Sequence, residues 1–225
     1  VKSSEALSYR SALEEYQQQA EALVAELNSG DQRAAWRFTW AHPRFRDKVA
    51  TDVHASAPGL ADAQIVIARE YGFEDWAALA GFVDAIHRDG PISRFEAAVE
   101  AVIAGDVATL RSLLHGHPEL LHARSTRRHR ATLLHYIAAN GVEGARQRTP
   151  ANAVEIAILL LEAGAEVDAL AEMYGGQCAT LSMLVSSCHP ANAGVQVALA
   201  ETFVDYGAAI VTPGQQSEVV TALAF

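Results

Sequence analysis

Four histidines, His115, His117, His122 and His129, fall within fifteen residues, a density that raises metal binding as the first chemistry to weigh. Zinc needs ligands at fixed spacing on a rigid element, with outer partners that orient the rings. This cluster instead spans a helix end, a proline turn and a loop, and a histidine near a helix C-terminus is favoured by the dipole alone. No metal or other cofactor is therefore expected. Cys188 and His189 are adjacent, where side chains diverge, so a thiol–imidazole pair would need a distant partner. The chain has no nucleophile elbow, no His-Glu-x-x-His, no P-loop and no dinucleotide fingerprint, and Gly175-Gly176 reads as a turn. The expectation is a protein that is not an enzyme.

The segment Arg124-Ser-Thr-Arg-Arg-His-Arg130 carries chemistry of another kind. A guanidinium makes bidentate contacts to carboxylates and phosphates and stacks on aromatic rings, so Arg124, Arg127, Arg128 and Arg130 can form an anion-recognition patch. A solvated loop that aids solubility is the competing reading. Met173 and Tyr174, in Glu172-Met-Tyr-Gly175, have the make-up of interface hot spots when placed beside arginines.

The elements that position these residues are helical. In the 225-residue chain half of the residues are hydrophobic, many of them alanine, which suits closely packed helices. No run of eighteen apolar residues exists, so no membrane partner is expected, and the start, Val-Lys-Ser-Ser-Glu, lacks the apolar core of a signal peptide. A cytoplasmic protein with two reduced cysteines, Cys178 and Cys188, is the expectation. The net charge of -10 argues against general nucleic-acid binding. Charge is unevenly spread: six arginines lie between Arg124 and Arg148, whereas residues 149–225 hold eight acids and no cation.

The spacing predicts a helix from Glu5 to Leu27, with Leu13, Tyr16, Ala20, Leu23 and Leu27 on one stripe. A short helix follows with Trp36 and Trp40 one turn apart, then an irregular polar segment through Gly59. A helix, a break at Gly72 and a second helix fill Leu60 to Ile86. Asp89-Gly90-Pro91 marks a boundary. Beyond it, helices are predicted at 95–104 and 107–115, with Gly105-Asp106 between them.

Residues 132–168 organise the rest: Thr-Leu-Leu-His-Tyr-Ile-Ala-Ala-Asn-Gly, a polar interruption, then Val-Glu-Ile-Ala-Ile-Leu-Leu-Leu-Glu-Ala-Gly-Ala-Glu-Val-Asp. Thr132 can cap a helix whose Leu134, Ile137 and Ala138 share a face, and Gly164 sits where a left-handed C-cap residue is expected. This stretch resembles an ankyrin repeat, whose Thr-Pro-Leu-His-x-Ala signature opens the first of two short helices with a period of about 33 residues. Leu133 stands where the family has proline. About eleven extra residues, judged against that period, fall between Gly141 and Glu155 and read as an inserted loop. Residues 62–79 look like a segment that precedes the repeats of some bacterial ankyrin proteins.

The resemblance implies an all-α, ankyrin-like solenoid: an N-terminal helical capping region over 1–89, then three repeats and part of a fourth over 90–225. A first repeat lacks the signature, and a third has Ala179-Thr-Leu-Ser182 in its place, with Gln196 to Tyr206 as its second helix and Cys188 to Gly194 as an inserted loop. Pro-Ala-Asn-Ala recurs 40 residues apart and Gly-Ala recurs 43 apart, lengths that would suit HEAT or armadillo repeats, but the Thr-Leu-Leu-His stretch decides for ankyrin. The structural motif is Thr132, Leu134, His135, Gly141 and Gly164, and in ankyrin-like repeats this histidine ties the helix start to the neighbouring turn. A fourth copy is expected from Thr212. The end, Thr-Ala-Leu-Ala-Phe, would leave an uncapped apolar surface, which points to a shortened chain, further repeats, or a homodimer through that end.

The function so implied is non-catalytic protein–protein interaction through the projecting fingers, residues 123–131 and 172–175, and the inner helix face. One alternative is a regulatory or inhibitory subunit of an enzyme or toxin that uses Glu166, Asp168 and Glu172 against a basic partner. Another is a metal-dependent hydrolase built on the histidine cluster.

Overall fold

The computed structural model describes residues 7–139 and 143–210. It divides the chain into two compact units, Val1–Asp89 and Gly90–Phe225. It is mostly helical with little strand, and among the described residues no helix is long and apolar enough to cross a membrane.

In the first unit, α1 (Leu13–Asn28) packs on α2 (Gln32–Ala41) and on α4 (Leu60–Glu70), and α3 (Ala50–Ala55) packs on α2, while α5 (Trp76–Ile86) packs on α4. The inward stripe of α1 is Tyr16, Ala20, Leu23 and Leu27, spaced by three and four residues as a helix face requires. Residues before Leu13 are not helical as far as they are described, so the helix begins later than its periodicity suggests. Asp31 caps α2 by accepting from the amides of Arg33 (2.6 Å) and Ala34 (3.3 Å), which satisfies two of the four donors left at a helix start. The segment before Gly59, read from sequence as irregular, contains a 3-10 turn at Pro43–Phe45 and the whole of α3. Phe45 and Val53 from these pieces are completely buried.

The second unit runs α6 (Pro91–Ala104), α7 (Val107–Gly116), α8 (Leu133–Ala138), α9 (Ala153–Glu162), strands β1 (Leu170–Met173) and β2 (Gly176–Ala179), α10 (Thr180–Val185), α11 (Cys188–Asn192) and α12 (Gln196–Asp205). Helices α6, α8 and α10 pack one against the next, and α9 packs against α8 on one side and α12 on the other. Phe95, Leu110, Leu134, Ile156, Leu160, Leu184, Leu199 and Phe203 belong to one continuous core through this row.

Three helices of this unit end alike. Gly105, Gly164 and Gly207 have φ of 77°, 103° and 90°, and the residue after each donates back five positions, Asp106 to Ala101, Ala165 to Leu160 and Ala208 to Phe203. This is the Schellman closure that favours glycine. At Gly105 a side chain is excluded for a second reason: a Cβ would lie 2.4 Å from Asn152 Oδ1, and Asn152 Nδ2 donates to the Gly105 carbonyl at 2.9 Å.

Three expectations change. The finger at 172–175 is the tip of a two-stranded antiparallel hairpin, with Leu170 opposite Ala179 and Met173 opposite Gly176, so the unit is not purely helical. The residues read as an inserted loop at 188–194 include α11. The interruption before α9 contains a 3-10 turn at Gly144–Arg146. Gly141 and the start of a fourth copy at Thr212 lie outside the described residues.

Candidate functional site

The arginine segment is a loop that closes on itself. The Ser125 amide donates to the Ala131 carbonyl at 2.8 Å, and the Arg130 amide donates to the Arg127 carbonyl at 3.0 Å. Arg130 sits at φ 52°, a left-handed conformation uncommon outside glycine. The loop is tied to the hairpin through two contacts. The Glu172 amide of β1 donates to the His129 carbonyl at 2.8 Å, and the Arg124 guanidinium donates to the carbonyls of Arg130 and Leu170.

His135 ties the hairpin to the start of α8. Its Nδ1 accepts from the Thr132 amide at 3.1 Å and lies 2.8 Å from the Thr132 hydroxyl, so the ring proton is on Nε2, which faces the Cys178 carbonyl of β2 at 3.3 Å. The cap runs opposite to the expectation: the third helical residue reaches back to Thr132, and the threonine hydroxyl serves the imidazole instead of a free amide. Burial pushes the His135 pKa down to about 4, so the ring is neutral at physiological pH. Leu134 is buried in the core beside it.

Of the residues expected at the surface, Arg128, Arg130 and Tyr174 are exposed, Tyr174 by 71 %. Two are not. Met173 is buried because strand residues alternate: Ala171 and Met173 point inward while Glu172 points out. Arg127 is only 3 % exposed. Its guanidinium meets Glu96 Oε1 at 2.7 Å and Glu143 Oε2 at 3.3 Å. Arg124, half-buried, holds backbone carbonyls and is a strut more than a contact.

Arg127 belongs to an ion network that sequence reasoning missed. Glu96, on α6 and 1 % exposed, also receives Arg146, whose Nε lies 2.9 Å from Glu100 Oε1 and whose Nη1 lies 3.3 Å from Glu143 Oε2. Glu143 Oε1 accepts the Tyr136 hydroxyl at 2.8 Å and lies 3.5 Å from His129 Nε2. The His129 Nδ1 accepts from the Ala131 amide at 3.1 Å. Glu143 and Arg146 come from the interruption between α8 and α9, so part of the inserted stretch folds inward.

Burial acts on Glu143 to raise its pKa but is outweighed by the His129 hydrogen bond, the two arginines and the Tyr136 hydroxyl, which hold it at about 2. Burial likewise opposes the charge on Arg127 and Arg146, and the facing glutamates overcome it, raising both. Tyr136, wholly buried beside Glu143, is raised well above its ordinary value. A faint sign of this network exists in the sequence: Glu96 falls among Phe95, Ala98 and Val99, one helical turn before Glu100.

The other predicted groups do not assemble. His129 is turned inward to Glu143, His115 and His122 are exposed, and His117 lies 3.4 Å from Glu119. Among the described residues no group of three or more His, Cys, Asp or Glu could hold a metal ion. Of the acids after Thr149, Glu166 and Glu172 are exposed, whereas Asp168 accepts from the Ala209 amide at 3.0 and 3.2 Å. Neither a family model, nor a curated protein, nor a solved structure matches this chain.

Proposed function

We propose that residues 90–210 form an ankyrin-type stack that binds a protein partner without catalysis, in the cytoplasm, through the tips of its two fingers and the adjoining helix face. The observation that carries this reading is the cross-tie between the fingers. Arg124, the Glu172 amide and the His129 carbonyl lock the loop to the hairpin, while Arg128, Arg130 and Tyr174 remain exposed at the ends. A loop and hairpin whose backbones are held in place before association lose little conformational freedom on binding.

Three further observations agree. Helices α6, α8 and α10 pack in sequence, as first helices of successive repeats would. His135 joins the start of α8 to β2, the role that the ankyrin resemblance assigns to it. The buried ionisable groups favour a structural role: Glu143 lies far below neutrality and Tyr136 far above it, whereas a general acid or base works best near the operating pH.

Arg127→Glu is unsuited as a binding test, because it would bury a like charge against Glu96. The variant to use is Arg128→Glu with Arg130→Glu, alongside Tyr174→Ala. Partners are captured on the immobilised wild-type chain, identified by mass spectrometry, and titrated against each variant. Both variants are expected to weaken the captured partner at least about tenfold, as expected of interface hot spots. They should retain the wild-type circular dichroism and a cooperative melt. Unchanged affinity in both variants removes the fingers from the interface.

A further inference from the structure

The first unit carries a surface that this function does not use. Trp36 and Trp40 lie one turn apart on α2 and are 59 % and 82 % exposed. The helix buries its opposite face, Ala34, Ala35 and Phe38, so the indoles contribute little to the core. Arg33 continues their stripe one turn earlier. The Thr39 hydroxyl donates to the Lys48 carbonyl at 3.1 Å, which pins Lys48 and Val49, the latter 63 % exposed, beside the turn that bears Trp40.

The charge of this stretch is opposite to that of the whole. Residues 32–49 hold five cations, Arg33, Arg37, Arg44, Arg46 and Lys48, against the single acid Asp47, in a chain of net charge -10. Of the neighbouring carboxylates, Glu70 and Glu26 are engaged with Arg37, Asp62 with Arg44 at 3.1 Å and His42 at 3.3 Å, and Asp31 with the amides of Arg33 and Ala34, which leaves Asp47 and Asp52 exposed. Among the described residues, no ion pair engages Arg33, Arg46 or Lys48.

An indole exposed by four-fifths projects from its surface and does not line a hollow. Its complement must therefore surround it, without a fixed shape. The headgroup region of a bilayer does this, since the amphipathic indole ring settles at that depth and flanking cations meet lipid phosphates and carboxylates. An aliphatic Val49 within the patch adds to burial in lipid but offers nothing to a stacked base. The lack of a spanning helix bears on crossing a membrane, not on lying against one. The acidic remainder of the chain is screened beyond about 8 Å at physiological salt. We propose that the α2–α3 face of the first unit docks on an anionic lipid surface.

The test uses the full chain with vesicles of phosphatidylserine in phosphatidylcholine, and with phosphatidylcholine alone. Sedimentation with the anionic vesicles and a blue shift of tryptophan emission are expected, with little of either on phosphatidylcholine. Arg33→Gln and Lys48→Gln should each weaken vesicle binding about fivefold. Trp36→Ala with Trp40→Ala should abolish the shift and leave circular dichroism unchanged, because both rings are outside the core. Arg128→Glu, which tests the fingers, should leave vesicle binding as it was. Equal binding to both vesicle types, unaltered emission, or tighter binding to a single-stranded oligothymidylate than to the anionic vesicles would overturn the proposal.

Discussion

Tyr174 and Gly175 close the hairpin with φ of 55° and 81°, the pair of left-handed residues that defines a type I′ turn. Asn-Gly suits that turn best, and a tyrosine at its first position is held in a conformation that costs a residue with a Cβ roughly 1 kcal/mol. A side chain 71 % exposed offers little core burial in return. Tyr174→Asn is therefore expected to stabilise the fold by ~0.5–1 kcal/mol, read as a higher midpoint in urea, while weakening partner binding. A lower midpoint would mean that the tyrosine ring supports the hairpin. At this scale, residue type showed which chemistry was available but not which way each group faces. Arg127 and Arg128 are neighbours of one type, yet one enters the core and the other faces water. What separates them is Glu96, 31 positions away, and Glu143, neither of which a local window includes.

Elements long enough to show several turns were readable from their pattern: α1, α4, α6 and α9 carry apolar stripes at three- and four-residue steps. Of the shorter ones, α8 was readable from its Thr132 start and the repeat resemblance, whereas α3, α11 and the hairpin strands were not. Helix α3 has six residues and α11 has five, too few to establish a period, and each strand of the hairpin has four. The stretch between α8 and α9 has no stripe because its role is electrostatic. Its Glu143 and Arg146 bind α6 to the arginine loop, and its Asn152 grips the α6–α7 turn. The acid sensitivity of the fold follows from these ties. His135 takes up a proton near 6.5 when unfolded and near 4 when folded, so in that window the unfolded chain holds more protons and stability falls as the pH drops, by up to ~3 kcal/mol. His42, lowered by burial in the first unit, acts in the same direction. Glu143, at about 2 against 4.5 unfolded, adds a second loss as the pH falls from about 4.5 towards 2. A urea series from pH 7 to 3 should show both phases. His135→Gln should flatten part of the upper one, and Glu143→Gln the lower. A flat profile above pH 4.5 would show that His135 is not held neutral in the interior.

Across the whole molecule the charges are segregated: a chain of net charge -10 keeps its exposed finger cations, Arg128 and Arg130, in a unit whose residues 149–225 have none. This arrangement separates two kinds of partner by their response to salt. An acidic partner gripped by the arginines loses affinity as ionic strength rises, chiefly through a slower association rate, because added ions screen the approach of opposite charges. A basic partner, as a regulatory subunit of an enzyme or toxin would require, loses affinity too, but through the acids instead. Titration of the captured partner at several salt concentrations, repeated with charge-neutral variants, decides between them. Asp168 is a poor choice for neutralisation because it holds the Ala209 amide, so Glu166→Gln with Glu172→Gln is the acidic test and Arg128→Gln with Arg130→Gln the basic one. With fingers as the contact, the arginine pair should lower affinity roughly twofold to fivefold per charge at low salt and flatten the salt dependence, while the glutamate pair leaves both nearly unchanged. The reverse pattern would transfer the binding face from the arginine tips to the acidic surface that follows them.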